Sequence, residues 1–157
     1  MDAMQTVKNQ KESSTPISGD EKLGAGPTLH SVYITDNTGI DRVFERIKSR
    51  LREEQFSCLT LIYSIIEGSP VPLFSGELET IERRFPAQLI TYYVPVIDLV
   101  FPCQPERFQS QLEIVINSNI CKHMQFMVHG EASLVEVVVG RLTFLGINAT
   151  QIHSQIL

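Results

Sequence analysis

The sequence predicts an α/β domain built on a parallel sheet with helices on both faces. Two apolar runs of strand length, residues 58–64 and 124–128, show little polar alternation, which suits strands buried on both sides. Between the strand-like runs lie segments with apolar residues at helical spacing. Strand–helix alternation of this kind implies parallel pairing through crossover helices.

The elements follow in order. Residues 29–35 form a β-rich run and the first strand. Ile40, Val43, Phe44, Ile47 and Leu51 then recur at helical spacing, with Arg and Glu filling the other face. The second strand is residues 58–64. Gly68, Pro70 and Pro72 mark a loop. Phe74, Leu78, Ile81 and Phe85 line a second helix closed by Pro86, and residues 87–94 form the third strand. Pro95, Pro102 and Pro105 punctuate an irregular connection. Phe108, Leu112, Val115 and Ile116 give a third helix that ends near Asn117-Ser118-Asn119. The fourth strand is residues 124–129. A fourth helix over residues 132–145 stops at Gly146, a C-terminal glycine. Residues 150–156 are the fifth strand. Residues 1–28 are polar, rich in Ser, Thr, Lys, Glu, Gly and Pro. They cannot bury enough surface to offset ordering entropy, so they read as a flexible tail ahead of one domain at residues 29–157.

Composition narrows the function classes. The chain carries a net charge of −5 and a pI near 5.3, which favours neither nucleic acid nor an anionic membrane. Cys58, Cys103 and Cys121 are scattered without metal-ligand spacing, as in a reducing compartment. No apolar run approaches the ~20 residues of a membrane helix. A cytoplasmic protein is expected. No Ser-His-Asp motif, phosphate-binding P-loop or HExxH sequence is present. The phenylalanines at 74, 85, 101, 108 and 126 are most simply core.

Two turns carry more information. Val32-Tyr33-Ile34-Thr35 runs into Asp36-Asn37-Thr38-Gly39-Ile40 and a helix; Gln125-Phe126-Met127-Val128-His129 meets Gly130-Glu131 and another helix. With Leu61-Ile62-Tyr63-Ser64, the 73–79 segment, Arg84-Phe85-Pro86, Gly146-Ile147 and Gln151-Ile152-His153, the chain resembles the NAD(P)-binding domain of the ferredoxin–NADP reductase superfamily across residues 29–157. The resemblance implies a five-stranded sheet of order 3-2-1-4-5 and a crevice between strands one and four. It implies a rim made by Thr35, Asn37, Thr38, Gly39, His129, Gly130 and Glu131, with Tyr63 and Ser64 at the end of the second strand.

The chain keeps that frame and departs from the family's chemistry. In the family the first turn is rich in glycine, so that the backbone approaches a pyrophosphate at a helix N-terminus. Here Asp36 and Asn37 stand where that turn has glycines, and Asp41 and Arg42 where it has Thr-Pro. Thr38 and Asp41 have the spacing of a capping box, which would occupy the same N–H groups. A carboxylate ~5 Å from a phosphate costs about 3 kcal/mol at an effective dielectric of ~20, with Arg42 offsetting part of it. His129 replaces the family's cysteine, implied to lie near the nicotinamide, and Glu131 replaces its proline. The histidine reads either as a hydrogen-bonded strand-end residue or as one member of a His–carboxylate pair with Asp36 or Glu131. Tyr63 is a packed strand-end aromatic or a stacking platform for a ligand. After Ser64 come Ile65 and Ile66 where relatives carry an arginine. Residues 94–98 lack the Ser-Arg pair that holds a 2′-phosphate in relatives, and Arg107 is the nearest cation.

The flavin β-barrel of the family is not expected in residues 1–28, so no FAD and no hydride acceptor are expected in the chain. Two readings stand open. One is a stand-alone, degenerate nucleotide-binding domain acting as a non-catalytic binding or regulatory module, with no cofactor held tightly and only weak NAD(P) binding. The other is an oxidoreductase component that binds NAD(P)H and works with a separate flavoprotein or ferredoxin-type electron-transfer partner. The apolar fourth helix leaves a homodimer surface open as well.

Overall fold

A computed structural model describes residues 29–53, 58–66, 68–95, 106–117 and 123–157. Along them run β1 (His30–Thr35), α1 (Ile40–Glu53), β2 (Cys58–Ile65), α2 (Ser75–Arg84), β3 (Leu89–Pro95), α3 (Glu106–Asn117), β4 (Met124–Gly130), α4 (Ala132–Phe144), a 3-10 turn (Ala149–Gln151) and β5 (Ile152–Ile156). The expected tail at residues 1–28 and the connection holding Phe101, Pro102 and Pro105 lie outside the described residues.

The five strands pair in parallel in the order β3-β2-β1-β4-β5. Alternating strand side chains feed two cores, one on each face. On one face Val43, Phe44, Ile47 and Leu51 of α1 and Leu78 of α2 close over Tyr33, Leu61, Tyr63, Leu89 and Met127. On the other, Phe108, Leu112 and Val115 of α3 and Leu134, Val135, Val138 and Leu142 of α4 close over Val32, Ile34, Ile62, Phe126 and Val128. Both faces of β2 and β4 are therefore covered, which is why their sequences read as continuous apolar runs. The expected α/β fold, with a five-stranded parallel sheet of order 3-2-1-4-5 and helices on both sides, is the observed one.

Element ends differ from expectation for local reasons. Phe74 and Phe85 flank α2 instead of lying in it. Phe74 takes a left-handed conformation, φ 61°, at the helix N-cap. That backbone costs a non-glycine residue about 1–2 kcal/mol and is held by the Phe74 ring stacked on Phe44, with centroids 4.6 Å apart. β3 starts at Leu89, two residues later than expected, because the Phe85 carbonyl accepts from both Gln88 and Leu89 N–H and keeps Ala87 and Gln88 in a turn. β5 starts at Ile152, because Asn148 caps the preceding 3-10 turn through its side chain. The stop at Gly146 holds. At φ 84° its N–H bonds to Thr143 O, and the Ile147 N–H reaches Leu142 O, closing the helix as a Schellman motif.

Candidate functional site

Strand order reverses between β1 and β4, which diverge toward α1 and α4. Both helices point their N-termini at this crevice, so both aim unsatisfied N–H groups and partial positive charge into it. The residue between them is Asp36. Its Oδ1 accepts from the backbone N–H of Thr38 at 2.9 Å and of Gly39 at 3.1 Å. Its Oδ2 accepts from the N–H of Glu131, the N-cap residue of α4, at 2.9 Å. One carboxylate thus caps α1 from its own turn and engages the N-cap residue of α4, 95 residues further along the chain. The expected capping box does not form: Thr38 Oγ1 makes a long 3.5 Å contact to Glu131 Oε1, and Asp41 is not its partner. Asp36 wins because its carboxylate serves three donors where Thr38 could serve one.

The two retained glycines are explained by the same packing. A side chain at Gly130 would start 2.5 Å from Asp36 Oδ2. One at Gly39 would start 2.5 Å from the His129 carbonyl oxygen and 2.4 Å from Thr35 Oγ1. Both glycines let protein groups, the Asp36 carboxylate and the end of β4, approach closely.

Of the expected rim, Thr35, Gly39 and His129 are buried, while Asn37, Thr38 and Glu131 are exposed. Tyr63 is fully buried and its hydroxyl donates to Asn37 Oδ1 at 2.6 Å, tying the end of β2 to the β1–α1 turn. Burial pushes this hydroxyl up to about 12, nearby Tyr93 adds to the shift, and the Leu73 backbone N–H opposes it. The Tyr63 ring sits 5.8 Å from that of Tyr93. Ser64, next along β2, points to the opposite face and is buried with its hydroxyl unpartnered.

His129 does not pair with a carboxylate. Arg46 Nη1 lies 3.4 Å from its Nε2. A guanidinium only donates, so Nε2 is the acceptor and Nδ1 carries the proton. That Nδ1 is buried and makes no hydrogen bond. Burial lowers the affinity of His129 for a second proton, and the Arg46 charge lowers it further. Gln155, opposite on β5 but outside hydrogen-bond geometry at Nδ1, works the other way, and Arg42 again lowers it. Arg46 was not among the expected site residues. Its only sequence signal is the i,i+4 spacing with Arg42 on the polar face of α1. No group of three metal-ligating side chains occurs among the described residues.

The neutral His129 carries a pH prediction. Its folded pKa lies below the unfolded value of ~6.5, so folding excludes a proton that the unfolded chain accepts. Its contribution to stability is full above about pH 6.5 and is lost as the pH falls through the folded pKa. Urea midpoints measured between neutral and acidic pH are expected to drop more steeply for the parent than for His129→Gln. Parallel curves would show that His129 is not the titrating group.

Parallel strands, a central order reversal and two converging helix N-termini define a Rossmann-like α/β domain, the class that holds ligands beyond the carboxyl ends of its strands. More particularly, the chain has the fold of the ferredoxin–NADP reductase group. It is similar to the ferredoxin–NADP+ reductase of Plasmodium falciparum at 16% identity and a TM-score of 0.63, over 82% of this chain and 52% of that one. It is similar to a cytochrome P450 reductase from Amycolatopsis at 14% identity and a TM-score of 0.60, over 85% of this chain and 39% of that one. It is also similar to the flavohem-like FAD/NAD binding domain of nitric oxide dioxygenase from Vibrio cholerae O1 biovar El Tor, at 14% identity and a TM-score of 0.56, over 81% and 50%. The chain thus spans about half the length of the first of these reductases. No protein-family model and no curated protein matches the sequence. No helix of the described residues is long and apolar enough to cross a membrane.

Proposed function

We propose that this domain is a non-catalytic binding or regulatory module with a reductase-type fold, its nucleotide crevice closed by its own carboxylate. The observation that carries this reading is Asp36, whose two oxygens take the N–H groups of Thr38, Gly39 and Glu131. Those are the donors a pyrophosphate would use at a helix N-terminus. A phosphate entering the crevice would have to displace a charge-assisted cap, then sit beside the displaced negative charge, with Glu131 also at the rim. The residues present do not fit a dinucleotide phosphate. The missing cations at residues 65 and 66 point the same way, as does the absence of a Ser-Arg pair after β3.

The competing reading is an NAD(P)H-binding oxidoreductase component served by a separate flavoprotein or ferredoxin-type partner, and the presence of Gly39 and Gly130 at the crevice is one feature in its favour. Both glycines are needed for internal packing, so they lend it little. It keeps support from the fold, since a matched reductase from Plasmodium falciparum was solved with 2′P-AMP.

Calorimetric titration with NADH, NADPH, 2′P-AMP, FAD and FMN separates the two. The expected result is no binding tighter than roughly millimolar, a free energy of about −4 kcal/mol. Micromolar NADPH or 2′P-AMP binding would overturn the closed-crevice reading and revive the oxidoreductase one.

A further inference from the structure

Away from the crevice, the second halves of α1 and α2 enclose a groove of about 320 Å³ on the outer side of the sheet. Its floor is Leu51, Ile81 and Phe85 and its rim is Lys48, Arg52 and Arg84. Leu51 is buried in the α1–α2 core, and Ile81 and Phe85 pack half-buried against it, so the apolar floor is held in place from below.

The charges on this rim run against the rest of the chain. Acids exceed bases overall, giving a net charge of −5, yet three cations from two helices converge on one apolar floor. Lys48 is shared between Glu45, at 2.6 Å, and the face of Phe44. Among the described residues Arg52 bonds to the carbonyl of Lys48 in its own helix, at 3.2 Å. Arg84 lies over the Phe85 ring, 5.5 Å from its centroid. Neither arginine is paired with a carboxylate among the described residues. The neighbouring Arg83, which does not line the groove, is paired with Glu79. α2 therefore neutralises one arginine and leaves the groove-lining one open.

The groove is also elongated and polarised. It continues along α2 into a shallower depression lined by Gly76, Glu77, Thr80 and Ile81. One end is cationic and the other carries Glu77. A compact anion would use the cationic end alone. A trough with an apolar floor and opposite charges at its two ends matches an amphipathic segment lying along α2.

We infer that this groove docks an acidic amphipathic helix of a partner protein. The partner's apolar face seats on Leu51, Ile81 and Phe85, and its carboxylates meet Arg52, Arg84 and Lys48. Arginines on an apolar floor supply both contact area and charge at such a surface, and the positive rim steers an acidic partner toward it. The inference goes beyond the closed-crevice reading and does not depend on it. The groove lies along the second half of α1, the crevice at that helix's start, and nucleotide titration reports only on the crevice.

The probe is a fluorescein-labelled designed peptide helix several turns long, with a leucine stripe, Glu or Asp in the half that meets Lys48, Arg52 and Arg84, and uncharged Gln in the half that meets Glu77. Two comparators replace its acids with lysine or its leucines with serine. Anisotropy titrations use the full chain at low salt. Saturable binding of the acidic amphipath is expected, with amide shifts confined to α1 and α2 around Arg52 and Arg84. The variant R52E/R84E is expected to weaken it by about tenfold or more, a loss of at least 1.4 kcal/mol. Both side chains are exposed, so thermal stability should hardly move; R52A/R84A, which removes charge without reversing it, should give a smaller loss. Several results would overturn the inference: no saturable binding, equal binding of the lysine or serine comparator, shifts centred elsewhere, or full affinity retained in R52E/R84E.

Discussion

Asp36→Ala is expected to cost about 1–4 kcal/mol of stability and, in the same protein, to open the crevice to phosphate. The cost follows from the cap count. Loss of a good N-cap side chain typically costs ~0.5–2 kcal/mol, and Asp36 caps α1 and α4 together. The gain follows from electrostatics. Removing a carboxylate ~5 Å from a phosphate, at an effective dielectric of ~20, relieves about 3 kcal/mol, roughly a hundredfold in affinity. Alanine is a cleaner choice than the family's glycine, because Asp36 does not have a positive φ and glycine would add unfolded-state entropy. Asp36→Asn should behave differently. Its amide oxygen keeps the bonds from Thr38 and Gly39, while its NH2 faces the Glu131 N–H, donor against donor. The asparagine variant should therefore lose the α4 cap and keep the α1 cap. Calorimetry with NADPH and 2′P-AMP, beside urea denaturation, reads both effects. A folded Asp36→Ala protein that still binds neither nucleotide would show that something other than this carboxylate keeps them out.

Sequence and structure agree where the signal is repetitive and part company where it is singular. The continuous apolar runs of β2 and β4 demanded cover on both faces, and the spacing of Ile40, Val43, Phe44, Ile47 and Leu51 could serve only a helix packed on one side. Strand order was not in those patterns; it came from the resemblance, carried by Thr38-Gly39-Ile40 and Gly130 in sequence. The ends of α2 and β3 were missed because Phe74 and Phe85 fit the helical period yet leave the helix. One stacks on Phe44 from a left-handed backbone, and the other starts a turn with its carbonyl. At the crevice, residues 36–41 offered several side chains able to cap α1. Local spacing favoured Thr38 with Asp41. The choice of Asp36 was made by Glu131, whose N–H engages the second oxygen from the far side of the fold. A bond between residues so distant in sequence leaves no local trace, and neither does the approach of Arg46 to His129.

Gly130→Ala and Gly39→Ala are expected to destabilise the protein by different mechanisms, and a double-mutant cycle distinguishes them. At Gly39 the added methyl meets the backbone carbonyl of His129 at 2.5 Å, so α1 must lift away from β4. Overpacking of this kind typically costs 1–3 kcal/mol and occasionally more. The obstacles are the His129 carbonyl and Thr35 Oγ1, neither of them from residue 36, so the penalty should be the same whether residue 36 is Asp or Ala. At Gly130 the three nearest atoms all belong to the Asp36 carboxylate, 2.5–2.7 Å from the new Cβ. That side chain can rotate aside, but only by abandoning the N–H groups of Thr38, Gly39 and Glu131. Gly130→Ala should then cost nearly as much as Asp36→Ala, and adding it to Asp36→Ala should cost little more. The coupling energy between positions 36 and 130 is expected to reach about 1–3 kcal/mol, the range for groups in direct contact. Between 36 and 39 it should be smaller, because the carbonyl clash at Gly39 persists without the carboxylate. Urea denaturation of the single and double variants measures each term. Additive losses at 36 and 130 would mean that Gly130 is required by something other than the Asp36 carboxylate, and the packing account of that glycine would fall.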